Sequence, residues 1–522
     1  MRRFPPCPVT GLAALFLLLS AVLPLDAQDR PAHPPRDGRE AHDTHDAANK
    51  APATQPALSL LPADAVTHHK LRLGNQEIAY SATAGTLPLR DDKGEKQADI
   101  FYVAFLRDGV ADVAKRPITY AFNGGPGAAS AYLNIGALGP RALDFGASGK
   151  PEPAIDHVGD NPDTWLPFTD LVFIDPVGTG YSRAAGGGDG AKKFWSVRAD
   201  LDALAQIVRL HLTRIDRLTS PVYLVGESYG GFRAARLAHQ LAQQEGIAAA
   251  GVMLVSPALE FRLMGGDEFD VLPWALRLPS LAAVALEAKG ALSPEGLADV
   301  EHFALNDYLV ALAAGTRDAK GSDRLYATIA NFIGLDAGVV ARWRGRVPTG
   351  AYIKEMRRTD GQILSRYDGS IAGADPSPHS YQAEEDPVLQ GSIAPFTRAF
   401  LAYARNELGF STELGYELLN SDVSRHWDWG DGGRQSLGAA DALRRALALQ
   451  SRLRVLIAHG LTDLVTPYMT SRYVVDHLPA NLTTSRVELK LYAGGHMMYL
   501  RSASRRRLHD DAQAFYQPEG TQ

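Results

Sequence analysis

Cysteine is almost absent from this chain, which has one, Cys7, in 522 residues. A single thiol excludes an internal disulfide framework. Because Cys7 falls in the N-terminal segment considered below, cysteine is also excluded as a nucleophile or metal ligand of the mature protein. Large exported proteins can fold without disulfides, since a long chain buries enough apolar surface.

Positive charge is not in excess either. The chain has 53 Lys and Arg against 59 Asp and Glu, a formal net charge of -6. Residues 505–507, "RRR", form only a short basic block, typical of a solvated helix face. This balance argues against a nucleic acid as a partner.

Long apolar runs are confined to the N-terminus. After a basic start, "MRR", the run "GLAALFLLLSAVLPL" is too short for a typical transmembrane helix. The pattern predicts a signal peptide over residues 1–27, cleaved after Ala27, although Asp26 leaves the site open; a retained anchor is the alternative. We therefore expect an exported protein, periplasmic or secreted, with no stable membrane insertion after cleavage.

Residues 28–65 are rich in Pro, Ala, Asp and His and predict a disordered linker, because such a composition cannot bury a core. His42 and His45 in this segment could bind a metal, but such histidines more often decorate a solvated tail. No metal site is predicted elsewhere, and no cofactor is expected.

The remaining chain predicts an α/β fold. After two β-rich stretches, buried runs such as "PITYAFNGG", "DLVFIDPVGTG", "PVYLVGESYGG", "GVMLVSPAL" and "RVLIAHGLTD" alternate with helical patterns. This alternation is typical of a mostly parallel sheet flanked by helices, with ligands bound at the carboxyl ends of the strands. We expect the core to comprise residues 66–260 and 436–517, interrupted by a largely helical cap at 261–435.

The motif "GESYGG" places Ser228 between a buried run and a helical pattern. G-x-S-x-G at a strand-to-helix turn is typical of a nucleophile elbow, which exposes the serine above the sheet. The glycines at 226 and 230 remove side chains where backbones crowd. A tight βα turn with a capping serine is the structural alternative.

A nucleophilic serine needs a base, an orienting acid and an oxyanion hole. Asp463 in "HGLTD" and His496 in "GGH" follow Ser228 in the chain order that sheet-based hydrolases use. Asp463 could instead cap a helix, and His496 could be a hydrogen-bonded loop histidine. One oxyanion donor is expected from the Tyr229 N–H and another from the glycine-rich loop "AFNGGPGAAS".

These motifs together resemble the serine carboxypeptidase family (peptidase family S10) of the α/β-hydrolase fold, in a bacterial-type exported form. The resemblance rests on "FNGGPGAASAYLNIGALGP", "TDLVFIDPVGTGYS", "GESYGG", "HGLTD" and "GGH", spread in order over residues 115–500. It implies a catalytic triad of Ser228, Asp463 and His496, with the oxyanion bound by the N–H groups of Gly125 and Tyr229.

The resemblance also implies that Asn123, the Gly124 N–H and Glu227 bind the terminal carboxylate of a peptide. A protonated Glu227 can donate a hydrogen bond to that carboxylate, and burial beside an anion raises a carboxyl pKa. The structural alternative is a glutamate fixed by an internal hydrogen bond. Three positions depart from the family pattern: Ala137 replaces an acid, Ala128 a cysteine, and Met497 an acid.

The function expected from these residues is a serine-type carboxypeptidase that acts through an acyl-enzyme on peptides with a free C-terminus. An esterase or acyltransferase on the same scaffold is the alternative within enzymes. A binding protein without turnover is the alternative from another class.

Overall fold

The computed structural model describes residues 57–315, 319–382 and 385–517. The predicted signal peptide, most of the predicted linker, Cys7, His42 and His45 lie outside the described residues. Within the described part of the chain, no helix is both long and apolar enough to cross a membrane.

Three antiparallel strands open the described chain. Strand β1 (Ala65–Leu73) turns through Gly74, whose φ is 58°, into β2 (Gln76–Arg90), which pairs with β3 (Lys96–Arg107). Buried and less buried side chains alternate along β2 because one of its faces packs on the core. The β-rich stretches at the start of the predicted core therefore form a meander at one side of the sheet.

The other strands follow along the chain. They are β4 (Ile118–Phe122), β5 (Arg141–Ala142), β6 (Gly159–Asp160), β7 (Asp170–Ile174), β8 (Arg183–Ala184), β9 (Val222–Glu227), β10 (Ala249–Val255), β11 (Gln362–Leu364), β12 (Ala372–Ala374), β13 (Arg454–Gly460) and β14 (Val487–Tyr492).

The central sheet has the strand order β1-β2-β3-β7-β4-β9-β10-β13-β14, with β8 paired to β3. Strands β7, β4, β9, β10, β13 and β14 are parallel to one another. Every residue of β4, β7 and β9 is buried, because helices cover both faces. The predicted α/β-hydrolase architecture, a mostly parallel sheet flanked by helices, is confirmed.

The helices are α1 (Ala131–Leu133), α2 (Gly187–Lys192), α3 (Val197–Arg214), α4 (Tyr229–Gln240), α5 (Leu272–Ala288), α6 (Pro294–Phe303), α7 (Leu309–Ala314), α8 (Ala319–Ile333), α9 (Ala337–Arg342), α10 (Thr349–Glu355), α11 (Leu389–Asn406), α12 (Ser421–Arg425), α13 (Ala440–Leu449), α14 (Tyr468–His477), α15 (Ala480–Thr483) and α16 (Ser502–Tyr516). Helices α3, α4, α13 and α14 contribute to one apolar core against the sheet, and α1, α11 and α16 contribute to another.

The long segment between β10 and β13 contributes to all three apolar cores, since α13 belongs to the first one. Helices α5 to α10 build a third apolar cluster, which Leu464 joins from the loop after β13. Helix α11, although it falls in the same long segment, packs instead with the central sheet through residues such as Phe396 and Phe400. The insertion is therefore anchored to the sheet and also contacts the loop that carries Asp463.

Candidate active site

Ser228 stands at a sharp turn between β9 and α4. Its φ of 60° and ψ of -123° lie outside the regions that ordinary residues favour. A Cβ on Gly226 would lie 1.9 Å from the Gly230 carbonyl oxygen, so the turn needs glycine there. This is the backbone that the elbow motif predicts, and it leaves Ser228 only partly buried.

The serine faces a cavity of about 470 Å³ at the carboxyl ends of the strands. The lining combines the loop after β4, the elbow, the loop after β13 and the turn after β14. Ser228, His496, Glu227, Asn123 and Gly125 all contribute to its wall. The structure therefore brings the predicted site residues from four separate strand ends into one place.

Asp463 and His496 form a buried pair beside this cavity. The Nδ1 of His496 lies 2.7 Å from the Oδ2 of Asp463. The Oδ1 of Asp463 accepts backbone N–H groups of Val465 and Thr466 at 2.8 and 2.9 Å, and the Thr466 hydroxyl donates to Oδ2 at 2.7 Å. A carboxylate so occupied holds the proton of His496 on Nδ1 and leaves Nε2 free to accept one.

The charge state of the pair follows from this contact. Burial opposes ionisation of Asp463, yet its interaction with His496 holds the pKa of the carboxyl below its ordinary value. Burial also disfavours the imidazolium, but the Asp463 carboxylate outweighs it and raises the pKa of His496 above 6.5. The histidine is therefore a stronger base than one without a carboxylate partner.

A segment of the long insertion, residues 365–369, fixes both members of the pair. The backbone N–H of His496 donates to the Tyr367 carbonyl at 2.5 Å, and the centroids of the two rings lie 5.2 Å apart in an edge-to-face arrangement. The Thr462 hydroxyl donates to Asp368 at 2.7 Å, beside Asp463. The sequence contains no signal for this role, because the contacts with His496 and Thr462 join residues that are far apart along the chain.

The glycine-rich loop after β4 closely approaches the elbow. A Cβ on Gly124 would lie 2.6 Å from the Tyr229 backbone nitrogen and 2.9 Å from the Ser228 Cβ. Gly125 has a φ of 102°, which side chains disfavour, and it is exposed to the cavity. Gly125 and Tyr229 thus lie together at the serine, as an oxyanion hole requires.

Two buried residues that the sequence analysis missed hold this loop in place. Asp175, at the end of β7, accepts the Ser130 N–H at 2.7 Å. Arg233, on α4, donates to the Asn123 carbonyl at 2.6 Å, pairs with Asp200 and stacks over the Tyr229 ring at 4.8 Å. A charged residue within an otherwise apolar helix face was the available signal for Arg233.

Glu227 is buried beside the serine with two hydrogen-bond donors. The Asn123 amide and the Tyr499 hydroxyl both donate to its Oε2, at 2.6 and 2.7 Å. Burial raises the pKa of Glu227 to about 7, although His496 and the two donors act in the opposite direction. The carboxyl is therefore poised to change its charge near neutral pH.

Comparison with known proteins bears on these motifs. Residues 75–256 match the family model described as serine carboxypeptidase. The retinoid-inducible serine carboxypeptidase of Homo sapiens is 30% identical over 149 residues, which cover 28% of this chain and 30% of the relative. A probable serine carboxypeptidase of Arthroderma benhamiae is 27% identical over 176 residues, 31% of this chain and 30% of the relative.

These matches show that residues 75–256 are similar to the serine carboxypeptidase family. The matched stretch spans about three tenths of the length of these curated relatives. A crystal structure of Kex1, a prohormone-processing carboxypeptidase from Saccharomyces cerevisiae, superposes with a TM-score of 0.53 at 15% identity. It covers 84% of this chain and 92% of that one, and shows the shared fold.

Tyr499 lies near a position where this chain departs from the serine carboxypeptidase pattern that its motifs resemble. Ala137, where the family often has an acid, is buried and offers no polar group to Glu227. The Tyr499 ring instead packs against the adjacent Gly136, where a Cβ would lie 3.1 Å from it. Tyr499 comes three residues after His496, but nothing in the sequence pairs it with Glu227.

Proposed function

We propose that this protein is an exported serine-type carboxypeptidase that releases the C-terminal residue of a peptide through an acyl-enzyme. The observation that carries the proposal is the buried group of Asn123, Glu227 and Tyr499, which lies directly beside Ser228. A carboxyl group at this position that keeps its proton can donate a hydrogen bond to a carboxylate, which a blocked ester lacks.

In the proposed acylation step, the Ser228 hydroxyl attacks the carbonyl carbon of the last peptide bond. The Nε2 of His496 takes the hydroxyl proton and then gives it to the departing amine, so that the C–N bond breaks as the ester forms. Asp463 keeps His496 in the required tautomer and stabilises the transient imidazolium.

A water molecule then hydrolyses the acyl-enzyme in the deacylation step. It loses a proton to His496 while attacking the acyl-enzyme carbonyl, and the proton returns to the Ser228 oxygen as the ester breaks. In both steps, the negative charge on the carbonyl oxygen is stabilised by the N–H groups of Gly125 and Tyr229. These are backbone donors, already in place at the serine, so little reorganisation is needed during the reaction.

The substrate's terminal carboxylate defines which bond is cut. Asn123, the Gly124 N–H and a protonated Glu227 can donate hydrogen bonds to it, and Glu227 is itself oriented by Asn123 and Tyr499. With the carboxylate bound there, the bond one residue upstream lies at Ser228. The preference for the C-terminus thus follows from the short reach between this group and the serine.

The proposal is tested by comparing a peptide that has a free C-terminus with the same peptide amidated. Each lost charge-assisted hydrogen bond costs about 1.5–3 kcal/mol, so kcat/KM should differ by about tenfold or more. Equal values for the two peptides would contradict the carboxypeptidase assignment and favour the esterase or acyltransferase alternative. Export is tested separately, by the mass of the secreted or periplasmic protein, which should begin near Gln28.

A further inference from the structure

The cavity at Ser228 is lined by two arginines in addition to the residues described above. Arg434 and Arg366 lie on its wall, whereas Glu227 is the one carboxylic side chain among the described residues that line it. Below neutral pH the Glu227 carboxyl is protonated, so the wall then carries net positive charge. This excess of cations is not needed to bind a terminal carboxylate at Asn123 and Glu227.

Arg434 is exposed at the cavity, and its guanidinium packs on two aromatic rings. Its guanidinium lies 5.0 Å from the centre of the Phe261 ring and 5.2 Å from that of Trp429. The Leu437 N–H donates to the Arg434 carbonyl, and the Phe261 N–H donates to the Leu437 carbonyl. Contacts with two rings and this backbone connection pre-organise the cation.

Neither arginine has an anionic partner for its side chain in the part of the chain that the structure describes. Within residues 57–315, 319–382 and 385–517, the side chains of Arg434 and Arg366 form no hydrogen bond or ion pair. Two acids close by along these segments are engaged by other groups. Glu260 contacts Arg262 at 3.5 Å and accepts the Ala440 N–H. Asp386 accepts the backbone N–H of Arg366 and the Ser365 hydroxyl. The two guanidinium groups are thus available to a ligand.

The position of Arg434 distinguishes it from the carboxylate group. Phe261 and Trp429 pack with the Tyr229 ring, at 6.3 and 5.8 Å between centroids. Tyr499 and Asn123, in contrast, contact Glu227, on the strand side of Ser228. Arg434 therefore shares its contacts with the rings around Tyr229 and makes none with the group of Asn123, Glu227 and Tyr499 among the described residues.

We propose that Arg434 forms a subsite for an acidic side chain on the acyl side of the cut bond, so that peptides whose penultimate residue is Glu or Asp are preferred. The inference rests on the proposed carboxypeptidase function. A substrate carboxylate would give the guanidinium the bidentate partner it lacks among the described residues. Arg366 supplies a second positive charge in the same cavity. It adds to the attraction of an acidic side chain, whereas Arg434 determines where that side chain binds.

The substrates that test the inference are N-acetylated dipeptides of the form X-Leu, with X as Glu, Gln, Lys or Leu. The Glu and Gln peptides have nearly the same shape, so their ratio of kcat/KM isolates the charge. We expect the Glu peptide to be favoured by about tenfold or more, because hydrogen bonds to charged groups are the stronger ones. A wild-type ratio of one or less overturns the proposal.

Variants of the two arginines show which residue is responsible for the preference for Glu over Gln. In Arg434→Gln the Glu to Gln ratio should fall to about one, and in Arg434→Lys it should recover in part, since an ammonium keeps the charge without the fork. Arg262→Gln is the matched control, because Arg262 is already paired with Glu260 and lies outside this cavity. A ratio that survives in Arg434→Gln, or that is lost only in Arg366→Gln, overturns the assignment to Arg434.

Binding measurements separate this inference from the proposed function. Calorimetry with the Ser228→Ala variant needs no turnover, and it should show tighter binding of the Glu peptide than of the Gln peptide, with the difference lost when Arg434→Gln is added. If peptides are cut without a preference for Glu, the inference fails and the proposed function stands. If no peptide is cut but the binding difference persists, the proposed function fails and the subsite stands.

Discussion

The Tyr499 hydroxyl and the Asn123 amide donate to the same oxygen of Glu227. Glu227 and Tyr499 are 272 residues apart along the chain. Burial and the neighbouring Glu227 raise the pKa of Tyr499 well above its ordinary value, so the hydroxyl keeps its proton and acts as a donor. With Ala137 unable to share a proton with Glu227, Tyr499 sets the orientation of the carboxyl in this protein.

Replacing Tyr499 by Phe should therefore move the pH dependence as well as lower the affinity. The hydroxyl stabilises the ionised form of Glu227, so its loss should shift the alkaline limb of kcat/KM for a free-acid peptide to higher pH. A hydrogen bond worth about 1.4 kcal/mol corresponds to a rise of about one in the apparent pKa.

Tyr132→Phe is the matched control for Tyr499→Phe. Tyr132 also lines the cavity, and its hydroxyl is not one of the two groups that donate to Glu227. The pH profile of kcat/KM for Tyr132→Phe should be the same as that of the wild type. An unchanged alkaline limb in Tyr499→Phe would show that the hydroxyl does not influence ionisation of Glu227.

The wild-type profile of kcat/KM against pH should be bell-shaped for free-acid peptides. His496 must be neutral to act as a base, so activity should fall as pH decreases through its pKa, which lies above 6.5. Glu227 must be protonated to bind a carboxylate, so activity should fall as pH rises through about 7. Because the groups interact, the two observed pKa values belong to the pair.

Glu227→Gln is the variant that separates the two limbs. Its amide stays a neutral donor at every pH, so the alkaline limb should be lost or much reduced while the acid limb remains. An N-blocked ester without a carboxylate should show no alkaline limb even in the wild type. An alkaline limb that is the same in wild type and Glu227→Gln would assign it to another group.

Changes at the three proposed catalytic residues should lower turnover by several orders of magnitude, because such groups act as a unit. Ser228→Ala should also abolish covalent labelling by a fluorophosphonate. Asp463→Asn should keep the fold but lose most of kcat, since an amide no longer enforces a proton on Nδ1 of His496. Near-normal turnover in Ser228→Ala or His496→Ala would disprove these roles, provided that circular dichroism shows a folded protein.

Gly124→Ala tests the proposed oxyanion-hole role of the glycine-rich loop after β4 without removing a polar group. The added Cβ would fall within 3 Å of the Tyr229 nitrogen and the Ser228 Cβ, so the loop has to move away from the serine. Loss of one oxyanion donor typically lowers kcat by about a hundredfold or more. Gly159→Ala, at an exposed site with nothing within 4 Å of the new Cβ, should leave kcat unchanged.

The sequence predicted the sheet and the residues at its strand ends because those signals are local. Buried runs followed by glycine or polar residues identify strand ends, and parallel strands bring such ends together. Ser228, Asp463 and His496 could be proposed in this way. The glycines at 226 and 230 provide the room that the turn around Ser228, with its positive φ, requires.

The contacts that support the candidate site could not be predicted from local sequence patterns. Tertiary packing brings Tyr499, Arg233 and residues 365–369 to the site. None of these residues belongs to a motif that could be recognised in the sequence. The predicted cap was also drawn as one segment, whereas α11 packs with the central sheet. Hydrophobic periodicity shows that a helix has an apolar face, but it does not show which core receives that face.

The contacts of residues 365–369 make the insertion part of the support of the candidate site. Tyr367 and Asp368 reach from the insertion to His496 and to the threonine before Asp463, while Leu464 packs into the insertion's own core. Because one short segment touches the loops of the proposed base and the proposed acid, loosening the insertion should disturb both at once. The proposed nucleophile, in contrast, is positioned by the turn between β9 and α4, within the sheet and its own helix.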